Sequence, residues 1–270
     1  MNFITLLKYI FLGFVQGFTE PIPVSSSGHL FIFKTLLNDN VLNDLNFEII
    51  VNFGSLIAIL ILFRKDIVEI IRDFFLYIKT KEEKYYANFK YAWLIVIGSV
   101  PAGIAGLLLK DKIESVLSGV KIVGFALLVT ALFLYLVKDY KGKKDDNKIT
   151  IGDAIIIGLF QVIALFPGIS RSGSTLVGGM RQGLKRETAF KYSFMLYIPI
   201  SFATMILGVK DLVETSISFE LLIYYIVGAI VSCIVTFFST KWFRNVVKNG
   251  KLMYFVWYCL FAGIMVILFV

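Results

Sequence analysis

Two short stretches of this chain hold most of the side chains that could do chemistry. In the first, Gln16 and Glu20 stand four apart, and Ser25, Ser26, Ser27, Gly28 and His29 follow a Pro21–Ile22–Pro23 break. In the second, Ser170, Arg171, Ser172, Gly173, Ser174 and Thr175 follow Pro167–Gly168. The Gln16–Glu20 spacing puts an amide and a carboxylate on one face of a helix that proline ends. A helix that restarts among serines offers free backbone N–H groups and hydroxyls, which together make an anion site. Arg171 adds a planar cationic fork that matches phosphate oxygens; an ion pair with Glu20 is the structural alternative. Two helix starts, one arginine and several hydroxyls describe a pocket for a dense anion, with phosphate or pyrophosphate the best fit. A hydroxyl, His29 and the Gln16/Glu20 face add a nucleophile, a base and candidate cation ligands, which turns binding towards hydrolysis.

Each residue also has a plainer reading. His29 is the one histidine in 270 residues, and a lone histidine is often just packed. Glu20 could serve as a capping carboxylate, and the serines could bond between membrane helices. Ionisable groups at membrane depth are nevertheless costly, so Glu20, His29 and Arg171 are read as functional.

The two stretches are versions of one element. Gly13–Phe14–Val15–Gln16 returns as Gly158–Leu159–Phe160–Gln161, and Ser25–Ser26–Ser27–Gly28 returns as Ser170–Arg171–Ser172–Gly173, both at an offset of 145 residues. Arg171 stands where the first copy has Ser26.

What surrounds them is a membrane protein. The chain is 58% hydrophobic and 17% charged, with a mean hydropathy of +0.81. Apolar stretches long enough to cross a bilayer lie at 46–63, 91–109, 119–137, 192–208, 219–239 and 252–270. Met1 to Val15 is apolar enough for a signal peptide, but no small-x-small site follows, so it is read as part of the mature protein. Cys233 and Cys259 lie inside predicted spans and are read as packing residues. Segments 64–90 and 138–150 read as loops.

The net charge of +8 is not a nucleic-acid signature, because 20 of the 27 Lys and Arg residues fall in four gaps between spans, 64–90, 138–150, 181–191 and 240–251. These gaps are assigned to the cytoplasm, and 38–45, 110–118 and 209–217 to the outside. Segment 151–180 then has a basic cluster at each end, so it enters and leaves on one side as a re-entrant hairpin broken at Pro167–Gly168. The first copy enters from the other side. The expected fold is an all-α polytopic membrane protein with an inverted-topology repeat. Its halves are about 1–145 and 146–270, and together they give six spanning helices plus two re-entrant helical hairpins.

These motifs resemble the undecaprenyl-pyrophosphate phosphatase family, also called the bacitracin-resistance family. The first family motif stands here as Gln16–Glu20 with Pro23–Val24–Ser25–Ser26–Ser27–Gly28–His29. The second stands as Pro167–Gly168–Ile169–Ser170–Arg171–Ser172–Gly173–Ser174–Thr175. The resemblance implies removal of the terminal phosphate of undecaprenyl pyrophosphate, a lipid carrier for cell-wall synthesis, at the outer face of the bacterial plasma membrane. It implies Ser26 as nucleophile and His29 as its acid/base partner. Arg171 would be the phosphate clamp, with Ser170, Ser172, Thr175, Ser25 and Ser27 around the phosphate. Gln16 and Glu20 would hold a divalent cation, Mg²⁺ or Ca²⁺, with Glu48 a lesser candidate to help. Position 16 is Gln where many members carry Glu, and a neutral amide binds a cation more weakly. A homodimer is compatible with the sequence. The rival reading is a lipid-carrier transporter or flippase on the same scaffold.

Overall fold

The computed structural model describes residues 2–37, 45–116, 119–214 and 218–270, and these form eleven α-helices with no strand among them. They are α1 (Phe3–Thr19), α2 (Ser26–Leu37), α3 (Leu45–Leu62), α4 (Arg64–Thr80), α5 (Tyr86–Val116), α6 (Val120–Val137), α7 (Ile151–Ile163), α8 (Arg171–Arg181), α9 (Arg186–Glu214), α10 (Phe219–Lys248) and α11 (Met253–Phe269). Among the described residues, four helices are long and apolar enough to cross a bilayer on their own, over Glu83–Leu109, Val120–Val137, Arg186–Gly208 and Phe219–Lys248. The expected span at 46–63 qualifies only together with α4, from which it is bent by 73°. The expected span at 252–270 is a 17-residue apolar helix. Large apolar side chains face outward on α1, α5, α6, α10 and α11, among them Phe3, Leu107, Phe125, Ile234 and Phe261. Such a surface suits lipid as its solvent.

Segment 64–90 is not a loop, because α4 fills most of it. Ile67, Ile70, Phe74 and Tyr77 recur at helical spacing and turn inward, and Phe89 of α5 stacks between Phe74 and Tyr77 at ring separations of 5.2 and 4.7 Å. Buried Asp73 accepts from the Asn88 side chain at 2.6 Å, which ties the same two helices. Val68, Ile71, Phe75 and Ile78 form an exposed apolar stripe beside Lys65, Arg72 and Lys79. That pattern belongs to a helix lying along a membrane surface. Charges dilute its hydropathy, which is why the sequence reads as a loop there. Segment 138–150 is a loop as expected, apart from a short 3₁₀ turn at Asp146–Lys148.

The four basic segments gather at one end of the molecule. Lys191 bridges Asp66 at 2.7 Å and Asp146 at 3.1 Å, Lys185 pairs with Asp145, and Lys248 pairs with Glu187. The backbone of Lys144 pairs with that of Leu184 in an isolated bridge. Segments 38–45, 110–118 and 209–217, expected at the opposite end, lie outside the described residues wholly or in their side chains.

Packing between the halves is reciprocal. A Cβ on Gly13 of α1 would fall 2.4 Å from the carbonyl oxygen of Gly228 on α10, and one on Gly158 of α7 would fall 2.4 Å from that of Gly98 on α5. Glycine is needed where two helix backbones come this close. Thus α1, early in the chain, packs on α10, and α7, its later echo, packs back on α5. Helices α3 and α9 pack on each other, and Ser55, Ser232 and Thr236 link α3 to α10 through hydroxyl bonds of 2.9 Å.

Candidate active site

The first hairpin is shaped by its prolines. With Pro21 next, α1 stops at Thr19, and the Glu20 N–H closes its last turn on the Gln16 carbonyl at 2.9 Å. Ser25 takes the left-handed conformation, φ 68°, which reverses the chain so that α2 starts at Ser26. Its Oγ accepts from the Gly28 N–H at 3.3 Å, capping the new helix. In the second hairpin, Thr150 and Asp153 form a capping box at the start of α7. Gly168, at φ 90°, makes the turn, and Ser170 caps α8 by accepting from the Gly173 N–H at 3.1 Å.

The two turns meet. A Cβ on Gly28 would lie 3.3 Å from the Gly168 Cα, and one on Gly173 would lie 3.1 Å from the Pro23 Cβ. Each return helix therefore packs on the other hairpin's turn. The Ser172 hydroxyl donates to the Ile22 carbonyl at 3.2 Å across the same junction. At 11 and 12 residues, α8 and α2 are about 16–18 Å long, roughly half the hydrocarbon thickness.

Glu20 is the hub. Its Oε2 accepts from the Ser26 hydroxyl and, at 2.9 Å, from the Gln16 amide, while its Oε1 accepts from the Arg171 guanidinium. The ion pair with Glu20, weighed second from sequence, is thus the contact that Arg171 makes. Both side chains are shielded, with 24% of Arg171 and 8% of Glu20 exposed. Arg171 also donates to the Ser201 hydroxyl at 3.4 Å and stacks on the Tyr197 ring, 4.4 Å from its centroid. Ile59, Ser172, Thr175, Ser193 and Phe194 complete the lining. The enclosed space is about 10 Å³, room for no more than a water molecule, so a phosphoryl group has to displace the ion pair or part the walls.

The sequence-predicted residues divide by position. Gln16, Glu20, Ser26, Arg171, Ser172 and Thr175 come together. The Thr175 hydroxyl is engaged with Ser193 and, at 2.9 Å, with the Arg171 carbonyl. Ser170 is buried and bonded to Ser172 at 3.2 Å. Ser25 is buried as a cap, whereas Ser27 points outward and is exposed. His29 is buried, but no hydrogen bond joins it to Ser26 among the described residues. Its Nδ1 meets the Ser25 carbonyl at 2.8 Å and its Nε2 the Tyr258 hydroxyl at 2.6 Å. Glu48 pairs with Lys34 at 2.7 Å rather than joining the site. Both cysteines are free thiols, as expected. Tyr197, Ser193, Ser201 and Tyr258 were missed, since nothing in their local spacing marks a lone hydroxyl in an apolar span.

The copies differ where the chemistry would sit. Position 165, the echo of Glu20, is Leu165, and buried Gln161, the echo of Gln16, has neither amide atom hydrogen-bonded among the described residues. Only the first hairpin carries a carboxylate beside its turn.

Fold and site together define a multi-pass helical membrane protein with a hydroxyl–carboxylate–guanidinium centre between two like hairpins. Residues 9–265 match the family described as Bacitracin resistance protein BacA. The chain is 44% identical to Undecaprenyl-diphosphatase 1 of Bacillus licheniformis, covering 100% of both chains. It is 42% identical to Undecaprenyl-diphosphatase 2 of Bacillus thuringiensis over 99% of each, and 41% identical to the Undecaprenyl-diphosphatase of Oceanobacillus iheyensis over 99% of this chain and 98% of that one. This chain belongs to the BacA family.

Proposed function

We propose that this protein is an undecaprenyl-diphosphatase of the bacterial plasma membrane, in which Ser26 attacks, Glu20 takes its proton and Arg171 holds the phosphate charge. One observation carries the reading: the Glu20 carboxylate touches the Ser26 hydroxyl and the Arg171 guanidinium at once, one from each hairpin. Full-length likeness to proteins named undecaprenyl-diphosphatase supports the substrate.

In the reaction, Ser26 Oγ bonds to the terminal phosphorus while the bond from phosphorus to the bridging oxygen breaks. Undecaprenyl phosphate leaves, and the Ser26 proton passes to Glu20. Water then attacks the phosphoserine, releasing inorganic phosphate and restoring the hydroxyl. Arg171 and the N–H groups opening α2 and α8 offset the charge that builds on the transferring group. His29, bonded to the Ser25 carbonyl and Tyr258, fixes the strained turn from which Ser26 projects. This modifies the sequence expectation, in which His29 was the proton partner of Ser26.

The residues fit a divalent cation that arrives with its substrate. No group of three or more His, Cys, Asp or Glu is clustered among the described residues, so the protein offers no complete cage. Glu20 and Gln16 would supply one carboxylate and one amide oxygen, with phosphate oxygens and water completing the shell of a hard ion such as Mg²⁺ or Ca²⁺. When bound, such an ion would neutralise pyrophosphate charge.

The reciprocal packing of α1 on α10 and α7 on α5 supports an inverted repeat with six spans, and the family resemblance supports a pocket that opens to the outer face. That scaffold also suits lipid-carrier transport, the alternative function. Phosphate release by detergent-purified protein from a prenyl pyrophosphate separates them, because hydrolysis needs no second compartment. Loss of release in Ser26→Ala is expected; near-wild-type turnover there would sink covalent attack and leave direct attack by water.

A further inference from the structure

A guanidinium on a long flexible stem clamps a phosphate well only if its plane is fixed beforehand. Two residues outside both motifs do this for Arg171. The Tyr197 ring lies against the guanidinium with 4.4 Å between Cζ and the ring centroid, and 6% of Tyr197 is exposed. The Tyr197 hydroxyl donates to Asn52 Oδ1 at 2.9 Å, which sets the rotation of the ring. Asn52 lies on α3 and Tyr197 on α9, two helices that pack on each other. These positions are 145 apart, the offset that relates the two hairpins. In a two-fold repeat, equivalent residues touch only at the axis, so this bond marks the axis of the molecule.

We infer that Tyr197 and Asn52 are positioning residues for the reaction, acting through Arg171: the ring holds the guanidinium plane, and the axial amide holds the ring. With one face of the guanidinium covered and its edge engaged by Glu20 and Ser201, the remaining N–H groups point in fixed directions. A phosphate oxygen therefore meets donors that need no ordering as charge develops. The inference rests on Arg171 being the phosphate clamp.

The test is a set of crossed variants, assayed for phosphate release from farnesyl pyrophosphate by detergent-purified protein, with thermal midpoints recorded for each. Tyr197→Leu removes the stacking face and should lower kcat/KM by about 30-fold, the upper range for a shielded cation–π contact. Tyr197→Trp should restore most of this loss. Tyr197→Phe and Asn52→Ala each break the same hydrogen bond, so each should cost roughly 3- to 10-fold, and the double variant no more than either alone. In an Arg171→Ala background, Tyr197→Leu should have no further effect. An equal loss in that background, or no rescue by Tyr197→Trp, would overturn the inference, since the ring would then be packing only. Wild-type turnover in Arg171→Ala alone is a different outcome: it removes the clamp itself and the inference with it.

Discussion

Replacing Glu20 and His29 separately decides which of them serves Ser26. In Glu20→Gln the acceptor facing the Ser26 hydroxyl loses its charge, and Arg171 loses its ion-pair partner. A positioned base contributes roughly 10²- to 10⁴-fold, so kcat should fall by about 10³-fold. The ion-pair loss adds a stability cost of about 3 kcal/mol, the low end for a buried pair because Arg171 still meets solvent. In His29→Gln two neutral hydrogen bonds are disturbed, at Ser25 and Tyr258. At roughly 1 kcal/mol each, they limit the loss to about 30-fold. The assay is initial-rate phosphate release from a prenyl pyrophosphate, with a thermal melt to confirm folding. If His29→Gln lost as much turnover as Glu20→Gln at an unchanged melting temperature, imidazole rather than carboxylate would be the proton acceptor. Glu20→Gln within tenfold of wild type would equally refute the assignment.

Other consequences follow from the packing and the charge pattern. Gly13→Ala and Gly158→Ala should each destabilise by about 1–3 kcal/mol through overpacking against a backbone carbonyl, and by similar amounts. Gly103→Ala, with nothing within 4 Å of the new methyl, should be neutral or slightly stabilising in the same unfolding measurement. Gln16→Glu should lower the Mg²⁺ or Ca²⁺ concentration giving half-maximal turnover after chelation and re-addition; an unchanged value would remove position 16 from the cation shell. Lys143→Cys should react with a membrane-impermeant maleimide in inside-out vesicles and stay unlabelled in right-side-out ones, with the reverse result inverting the topology.

Some of this architecture is legible along the chain because its signals are local. The break at Pro21–Ile22–Pro23 and the Pro167–Gly168 turn announce the hairpins, since proline cannot continue a helix whatever surrounds it. Lysine clustering forecasts that segments 64–90, 138–150, 181–191 and 240–251 share an end, and the ion pairs of Lys191 and Lys248 join them there. The helix at Arg64–Thr80 escaped because its apolar residues recur every three or four positions among charges, so its mean hydropathy stays low.

The sequence by itself determined the class: apolar spans, two copied hairpins, a carboxylate in one copy and an arginine substitution in the other. Residue types and spacing suffice for that, because helix breaking, capping and the cost of burying charge act over a few residues. Only the tertiary structure decided the pairings. Glu20 meets Arg171 across 151 positions, and His29 turns to Tyr258 across 229. Tyr197 reaches Asn52 across 145. Each depends on how α1, α2, α3, α8, α9 and α11 are brought together, which is set by glycine-lined crossings between helices rather than by any local pattern. Ser26 therefore has a carboxylate at its hydroxyl although His29 is nearer in sequence than Glu20, because the turn between α1 and α2 carries Glu20 to it while the Ser25 carbonyl and Tyr258 hold the imidazole away.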